Sequence, residues 1–210
     1  MASIAVFKKV GPAALIALIL LAYGCGGRTP AVVYYTLNHE ASDAPRSPAA
    51  ADGGPFLVGV GPVAFPQLLD RPQIVTRSGP NRIEISEFHR WGAPLREAFG
   101  GRLVEDLNAL LPKCQVTLFP RRNAPPPQVR IGITVHRFDG HMGQAVFLDA
   151  TWTISGPEQN AIIARRRYVL QEPATGDGYD SLVAAQSRAV TRLSRELAEA
   201  LHQIQADGKW

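Results

Sequence analysis

The sequence predicts an α+β domain: a mixed or antiparallel β-sheet with two main amphipathic helices packed on one face. Three observations carry this. Val129, Ile131, Ile133 and Val135 alternate with Arg130, Gly132, Thr134 and His136, and Val146, Leu148, Ala150, Trp152 and Ile154 alternate with Phe147, Asp149, Thr151 and Thr153, which marks two half-buried strands. Leu95, Phe99, Leu103, Leu107, Leu110 and Leu111 recur at helical spacing, as do Leu182, Val190, Leu193, Leu197, Leu201 and Ile204. Strands come in runs rather than in strict alternation with helices, which argues α+β rather than α/β.

The elements follow in order. Val32 to Leu37 is β-branched and aromatic and predicts a short first strand. Ala41 to Gly54 is rich in Pro, Ala, Ser and Gly, has no apolar period and predicts a loop. Phe56 to Phe65 predicts a second strand, interrupted by Gly59, Gly61 and Pro62. Ile74 to Arg77 and Arg82 to Ile85 flank the turn sequence Ser78-Gly79-Pro80-Asn81, a hairpin. The first helix opens at Pro94 and stops at Pro112, with Gly100 and Gly101 inside it. Gln115 to Phe119 reads as a strand and Arg121 to Pro127 as an exposed loop. The two alternating segments then form a hairpin about Asp139-Gly140-His141-Met142-Gly143. Ala161 to Leu170 gives a further strand before the long C-terminal helix. No internal repeat is present.

Size and charge narrow the function classes. At 210 residues the chain fits one domain plus a tail. An apolar fraction of 46% speaks against wholesale disorder, and two cysteines cannot build a disulfide framework. The formal net charge is +4, but two of the 22 basic residues are Lys8 and Lys9, beside the N-terminus. Without them 20 basic side chains face 18 acidic ones, and the arginines are scattered. A nucleic-acid interface needs clustered cations on one face, so no nucleic-acid partner is expected.

The first 24 residues read as an export signal. Lys8 and Lys9 precede the apolar run Ala13 to Ala22, about ten residues against the roughly 20 that span a bilayer. The run ends in Leu21-Ala22-Tyr23-Gly24-Cys25, which resembles the lipobox of bacterial lipoproteins. That resemblance implies cleavage before Cys25, a diacylglycerol on its sulfur and an acyl chain on the new amine. No other cofactor is expected. Several chains on one residue make a stable anchor where a single chain is marginal. Gly26, where an aspartate often retains enteric lipoproteins at the inner membrane, favours the outer membrane, facing the periplasm. Cys114 is then expected as a buried, inert thiol.

Motifs for chemistry are weak. Gly59-Val60-Gly61-Pro62-Val63-Ala64 matches a dinucleotide fingerprint, but no helix starts there, so strand glycines are the better reading. No HExxH or GxSxG pattern occurs, and the five histidines show no ligand spacing. His136 and His141 flank the predicted turn and read as exposed turn residues. Glu84 and Glu87 carry no sign of acid–base work. Arg165-Arg166-Arg167 is the one basic run. On a strand it reads first as a solvated edge, with contact to anionic head groups or an acidic partner as the functional alternative.

Four segments together carry a family resemblance: Tyr34 to Leu37, Leu69 to Arg77 (LDRPQIVTR), Glu87 to Trp91 (EFHRW), and Arg137 to Gly140 (RFDG). In this order they resemble the PqiC/YmbA family of ABC-type transport auxiliary lipoproteins, over nearly the whole mature chain. The resemblance implies a non-catalytic envelope component. Its partners would be an MCE-domain protein with an ABC permease and ATPase that move lipids between membranes. It also implies a homo-oligomeric ring. The expected organisation is a signal over 1–24, a lipidated N-terminus and loop over 25–54, and the auxiliary domain over 55–206, joined by the strand 32–37. Arg71, Arg77, Arg90 and Trp91 are the candidate partner surface. Ion pairs of these arginines with Asp70, Glu84 and Glu87 are the balanced alternative. Two other functions stay open at this point: an accessory of outer-membrane protein biogenesis, and a periplasmic hydrolase.

Overall fold

A computed structural model of the chain describes residues 30–38, 56–120, 125–157 and 161–208. The export signal, Cys25, the loop 41–54 and part of the loop 121–127 lie outside the described residues. Among the described residues ten elements follow one another: β1 (Val33–Tyr35), β2 (Phe56–Ala64), β3 (Gln73–Gly79), β4 (Arg82–Trp91), α1 (Leu95–Leu110), β5 (Cys114–Leu118), β6 (Val129–His141), β7 (Ala145–Ser155), β8 (Ile162–Pro173) and α2 (Tyr179–Ala206). The α+β class holds, with both helices and mixed sheets.

The strands divide into two sheets. The larger has the order β5-β2-β6-β7-β8, and the smaller has the order β1-β4-β3. In the larger sheet β2 runs parallel to both β5 and β6, while β6, β7 and β8 form an antiparallel meander. In the smaller sheet β3 and β4 are the predicted hairpin, and β1 docks parallel on β4 with Tyr35 beside Trp91. Alternation within a strand says which face is buried but not which strand is its neighbour, so the division is not visible in the sequence.

Both helices lie against the larger sheet. Leu95, Phe99, Leu103 and Leu107 of α1 share one apolar cluster with Leu182, Val190, Leu193, Leu197 and Leu201 of α2 and with the inward residues of β2, β6 and β7. Phe65, Phe99 and Phe138 meet edge to face at centroid distances of 5.3 to 6.3 Å, a geometry that suits the ring quadrupoles. Gly100 marks a close approach: a Cβ there would stand 3.1 Å from Leu118 Cδ2 and 3.6 Å from Val63 Cγ2. Gly101 has open space around it, and nothing in the structure explains its choice.

Gly61 confirms the strand reading of the GVGPVA segment. Its φ is 139°, and a Cβ would lie 1.9 Å from the carbonyl oxygen of Phe119. Only glycine fits so near a neighbouring backbone. The register of β2 on β6 also slips here, between Val60 and Val63.

The β6–β7 hairpin departs from the predicted turn. The sequence places the turn over Asp139 to Gly143, yet β6 continues to His141 and only Met142, Gly143 and Gln144 separate the strands. A register shift also falls within this pair, between Val135 and Arg137. An extra residue in one strand reverses the alternation beyond it, so Phe138 follows the odd-numbered Val129, Ile131, Ile133 and Val135 on the buried side. Asp139 follows on the opposite face of the same strand, where Arg77 of β3 bonds to it, and it is buried rather than exposed in a turn.

Candidate functional site

The candidate surface forms where the smaller sheet meets the start of α1. Pro66 accepts backbone hydrogen bonds from Leu69 (2.9 Å) and Asp70 (3.2 Å), which folds 66–72 into a compact turn. Pro72 then accepts from the Trp91 N–H at 2.7 Å, and Tyr35 accepts from Gly92 at 2.8 Å. These bonds bring the LDRP segment against the end of EFHRW. Between them lies an open cleft of about 370 Å³, lined by Asp70, Arg71, Pro72, Trp91, Gly92, Ala93 and Pro94.

Trp91 is buried and forms part of the core as well as the cleft wall. Arg71 and Arg90 are half-buried, and the Nε atom of each is buried without a hydrogen-bond partner among the described residues. A buried donor left unsatisfied costs about 1–3 kcal/mol, so native structures seldom leave one without reason. Next to Arg90, on β1, stands Tyr34, which is 64% exposed. A planar guanidinium beside an exposed aromatic ring is a common composition at protein interfaces.

Arg77 lies elsewhere. Its Nε donates to Asp139 Oδ2 at 2.8 Å, and Arg137 Nε donates to Asp139 Oδ1 at 2.7 Å. The buried carboxylate of Asp139 thus ties β3 of the smaller sheet to β6 of the larger one. The ion pairs expected within the two loops do not form as predicted. Asp70 pairs with Arg96 of α1, and Glu84 and Glu87 are exposed.

The remaining predicted positions can be placed. His136 Nε2 lies 2.8 Å from Thr151 Oγ1 across the β6–β7 pair, and the His141 ring meets Phe147 edge-on at 6.3 Å. His89 stacks on Tyr179 at 3.9 Å, with its Nδ1 2.9 Å from the Tyr35 hydroxyl. Burial, and then the negative charge of Asp180, hold the Tyr35 phenol above its ordinary pKa. Cys114 is half-buried, and burial pushes its thiol up, away from the reactive thiolate. Among the described residues no three His, Cys, Asp or Glu side chains gather as a metal site.

The basic run has the predicted facing. Arg166 opposes Trp152, while Arg165 and Arg167 oppose Thr153 and Thr151 on the other face. Arg166 pairs with Glu196 at 2.7 Å, and Arg167 forms a two-pronged contact with Asp149 at 2.9 and 2.6 Å. The Arg167 hydrogen bond holds the Asp149 carboxyl below its ordinary pKa.

Three charged groupings are absent from the sequence reading. Arg102 and Asp106 pair in the α1–α2 seam at 2.9 Å, with Thr191 and Ser194 of α2 hydrogen-bonded to them. Their i,i+4 spacing was the available signal. Glu172 at the end of β8 takes Arg188 and Arg192 of α2, each at 2.8 Å. Asp139 was hidden in the segment that the sequence reads as a turn.

Among the described residues, no helix is long and apolar enough to cross a membrane. No curated protein matches the sequence. The fold is shared with known structures. An uncharacterized protein matches at 23% identity with a TM-score of 0.66, over 82% of this chain and 99% of its own. A DUF330 protein from Xanthomonas campestris matches at 19% identity with a TM-score of 0.67, over 85% of this chain and 100% of its own. Residues 35–198, nearly all of the domain built from these sheets and helices, match the model of one family, and the chain belongs to it: the ABC-type transport auxiliary lipoprotein components.

Proposed function

We propose that the chain is a lipid-anchored, non-catalytic docking component of an MCE/ABC-type system that moves lipids across the bacterial envelope. In this reading residues 1–24 are removed, and Cys25 carries diacylglycerol and an N-acyl chain. The anchor holds the protein at the outer membrane, facing the periplasm. Residues 25–54 tether the domain, and the folded part meets an MCE-domain protein served by an ABC permease and ATPase. A homo-oligomeric ring, which requires a head-to-tail interface that closes on itself, is part of the same proposal.

The observation that carries it is the cleft beside Trp91. Arg71 lines it with its Nε buried and without an acceptor among the described residues, and Arg90, next to Trp91 on β4, carries a second such Nε, while the Nε atoms of Arg77, Arg102 and Arg188 each donate to a carboxylate within the fold. A partner segment that enters the cleft and runs on over Arg90 would bring carbonyl or carboxylate acceptors to both. Such contacts to a charged donor are worth about 1.5–3 kcal/mol each.

The test is capture of the full-length lipoprotein in mild detergent, with and without Arg71→Gln combined with Arg90→Gln. Cys25→Ser runs beside it to read membrane attachment. The wild type is expected to retain an MCE-domain protein and permease. The double variant should lose them by about tenfold, since 1.4 kcal/mol already gives that factor. Cys25→Ser should fold and leave the membrane fraction. Co-purification of barrel-assembly proteins instead would reverse the assignment.

A further inference from the structure

Among the described residues the larger sheet ends in β8, which has a strand neighbour on one side only. This edge is 12 residues long, and no backbone group among the described residues bonds to its outer side. A long open edge is a template for pairing with another chain unless it is blunted. No proline interrupts β8 before its last residue, Pro173. Exposed apolar side chains mark both halves, Ile162 at 61% and Val169 at 66% exposure.

The charges on this edge select the occupant. Arg166 and Arg167 are each held by a carboxylate, Glu196 and Asp149 respectively. Arg165 is exposed and has no partner among the described residues. Three arginines therefore face two carboxylates, and the surplus cation stands at the middle of the edge. A second β8 paired about Arg166 would set one arginine triplet against another, and like charges opposite each other destabilise a strand pair. The other sheet edge, β5, offers no acidic residue to a second copy either, since its sequence is CQVTL.

We propose that β8 accepts an extended acidic segment of a different protein as a sixth strand, with a carboxylate beside Arg165. Main-chain hydrogen bonds along the edge supply the affinity, and alternate side chains supply the selectivity. Arg165, Arg167 and Val169 share the face turned away from the helices, opposite Thr153, Thr151 and Asp149. The incoming strand is acidic on that face.

The experiment is amide hydrogen exchange on the full chain in detergent micelles. The probe is a capped heptapeptide that alternates threonine with glutamate, and its control carries lysine in place of glutamate. Alternate β8 amides should slow by about tenfold or more with the glutamate peptide, with the lysine peptide leaving them unchanged. Arg165→Glu should abolish the slowing without lowering the melting temperature, and Arg165→Gln should weaken it. The proposal is overturned if the glutamate peptide slows nothing, or if both peptides act equally. It is also overturned if β8 amides without peptide grow more protected as protein concentration rises, because a second copy then holds the edge.

Discussion

Between the two helices, Arg102 is buried together with Asp106 and hydrogen-bonds Thr191, so its charge is matched inside the fold even though its Nη1 has no acceptor among the described residues. At the end of the smaller sheet, Arg71 and Arg90 are half-buried, and each keeps one N–H without an acceptor. The same side chain thus serves two ends in one domain. In the helix seam a guanidinium is tolerated because a carboxylate and two hydroxyls surround the pair. In the cleft (Arg71) and beside it (Arg90) the guanidinium has no carboxylate partner among the described residues, next to a core tryptophan and an exposed tyrosine. An internal ion pair adds specificity to a packed seam but advertises nothing to a partner. An incomplete donor is a cost to the isolated chain that an incoming acceptor removes.

The strongest way to break this contrast is Asp106→Ala. It leaves Arg102 charged and buried without its counterion, which costs about 3–5 kcal/mol in comparable sites. Urea denaturation should show a fall in unfolding free energy of that size, and a loss under 1 kcal/mol would mean the seam does not depend on the pair. A smaller effect is expected for Asp139→Asn. Arg77 and Arg137 both lose a charged acceptor, but each remains about one quarter to one third exposed and is rehydrated. The expected cost is about 1–2 kcal/mol, below the full value for two charged hydrogen bonds. Amide exchange should quicken first in β3, because the Arg77 link to β6 is what this change cuts.

The positions of nearly all the strands and of both helices were legible in the sequence, because β6, β7 and α2 repeat their apolar residues with clean periods. Partnership between strands was not legible. The parallel docking of β1 on β4 and the separation into two sheets depend on which edges meet, and a pattern of period two is silent on that. The site was half legible. LDRP and EFHRW stood out by composition, and the structure does bring Arg71 and Trp91 to one cleft. Arg77 was grouped with them by proximity in sequence. Its true partner, Asp139, lies 62 residues away and sits in a strand segment that the sequence reads as a turn. Trp91 had been assigned to a partner, yet its ring is core, so it supports the cleft rather than standing free on it.

That last point sets the mildest and most discriminating prediction. Substituting Trp91 removes a buried aromatic side chain and would lower stability and binding together, which separates nothing. Arg71→Gln with Arg90→Gln removes two incomplete donors and no core contact. The change in stability of the isolated protein should stay within about 0.5 kcal/mol, and its sign can favour the variant, because each orphaned group carried a desolvation cost. Thermal unfolding measures this on the same protein used for partner capture. If the double variant unfolds several degrees earlier, the two arginines are bonded within the fold and the contrast with Arg102 disappears. If stability is kept while the partner is lost, the incomplete donors belong to the interface, and the domain holds its shape through its apolar core and its internal ion pairs.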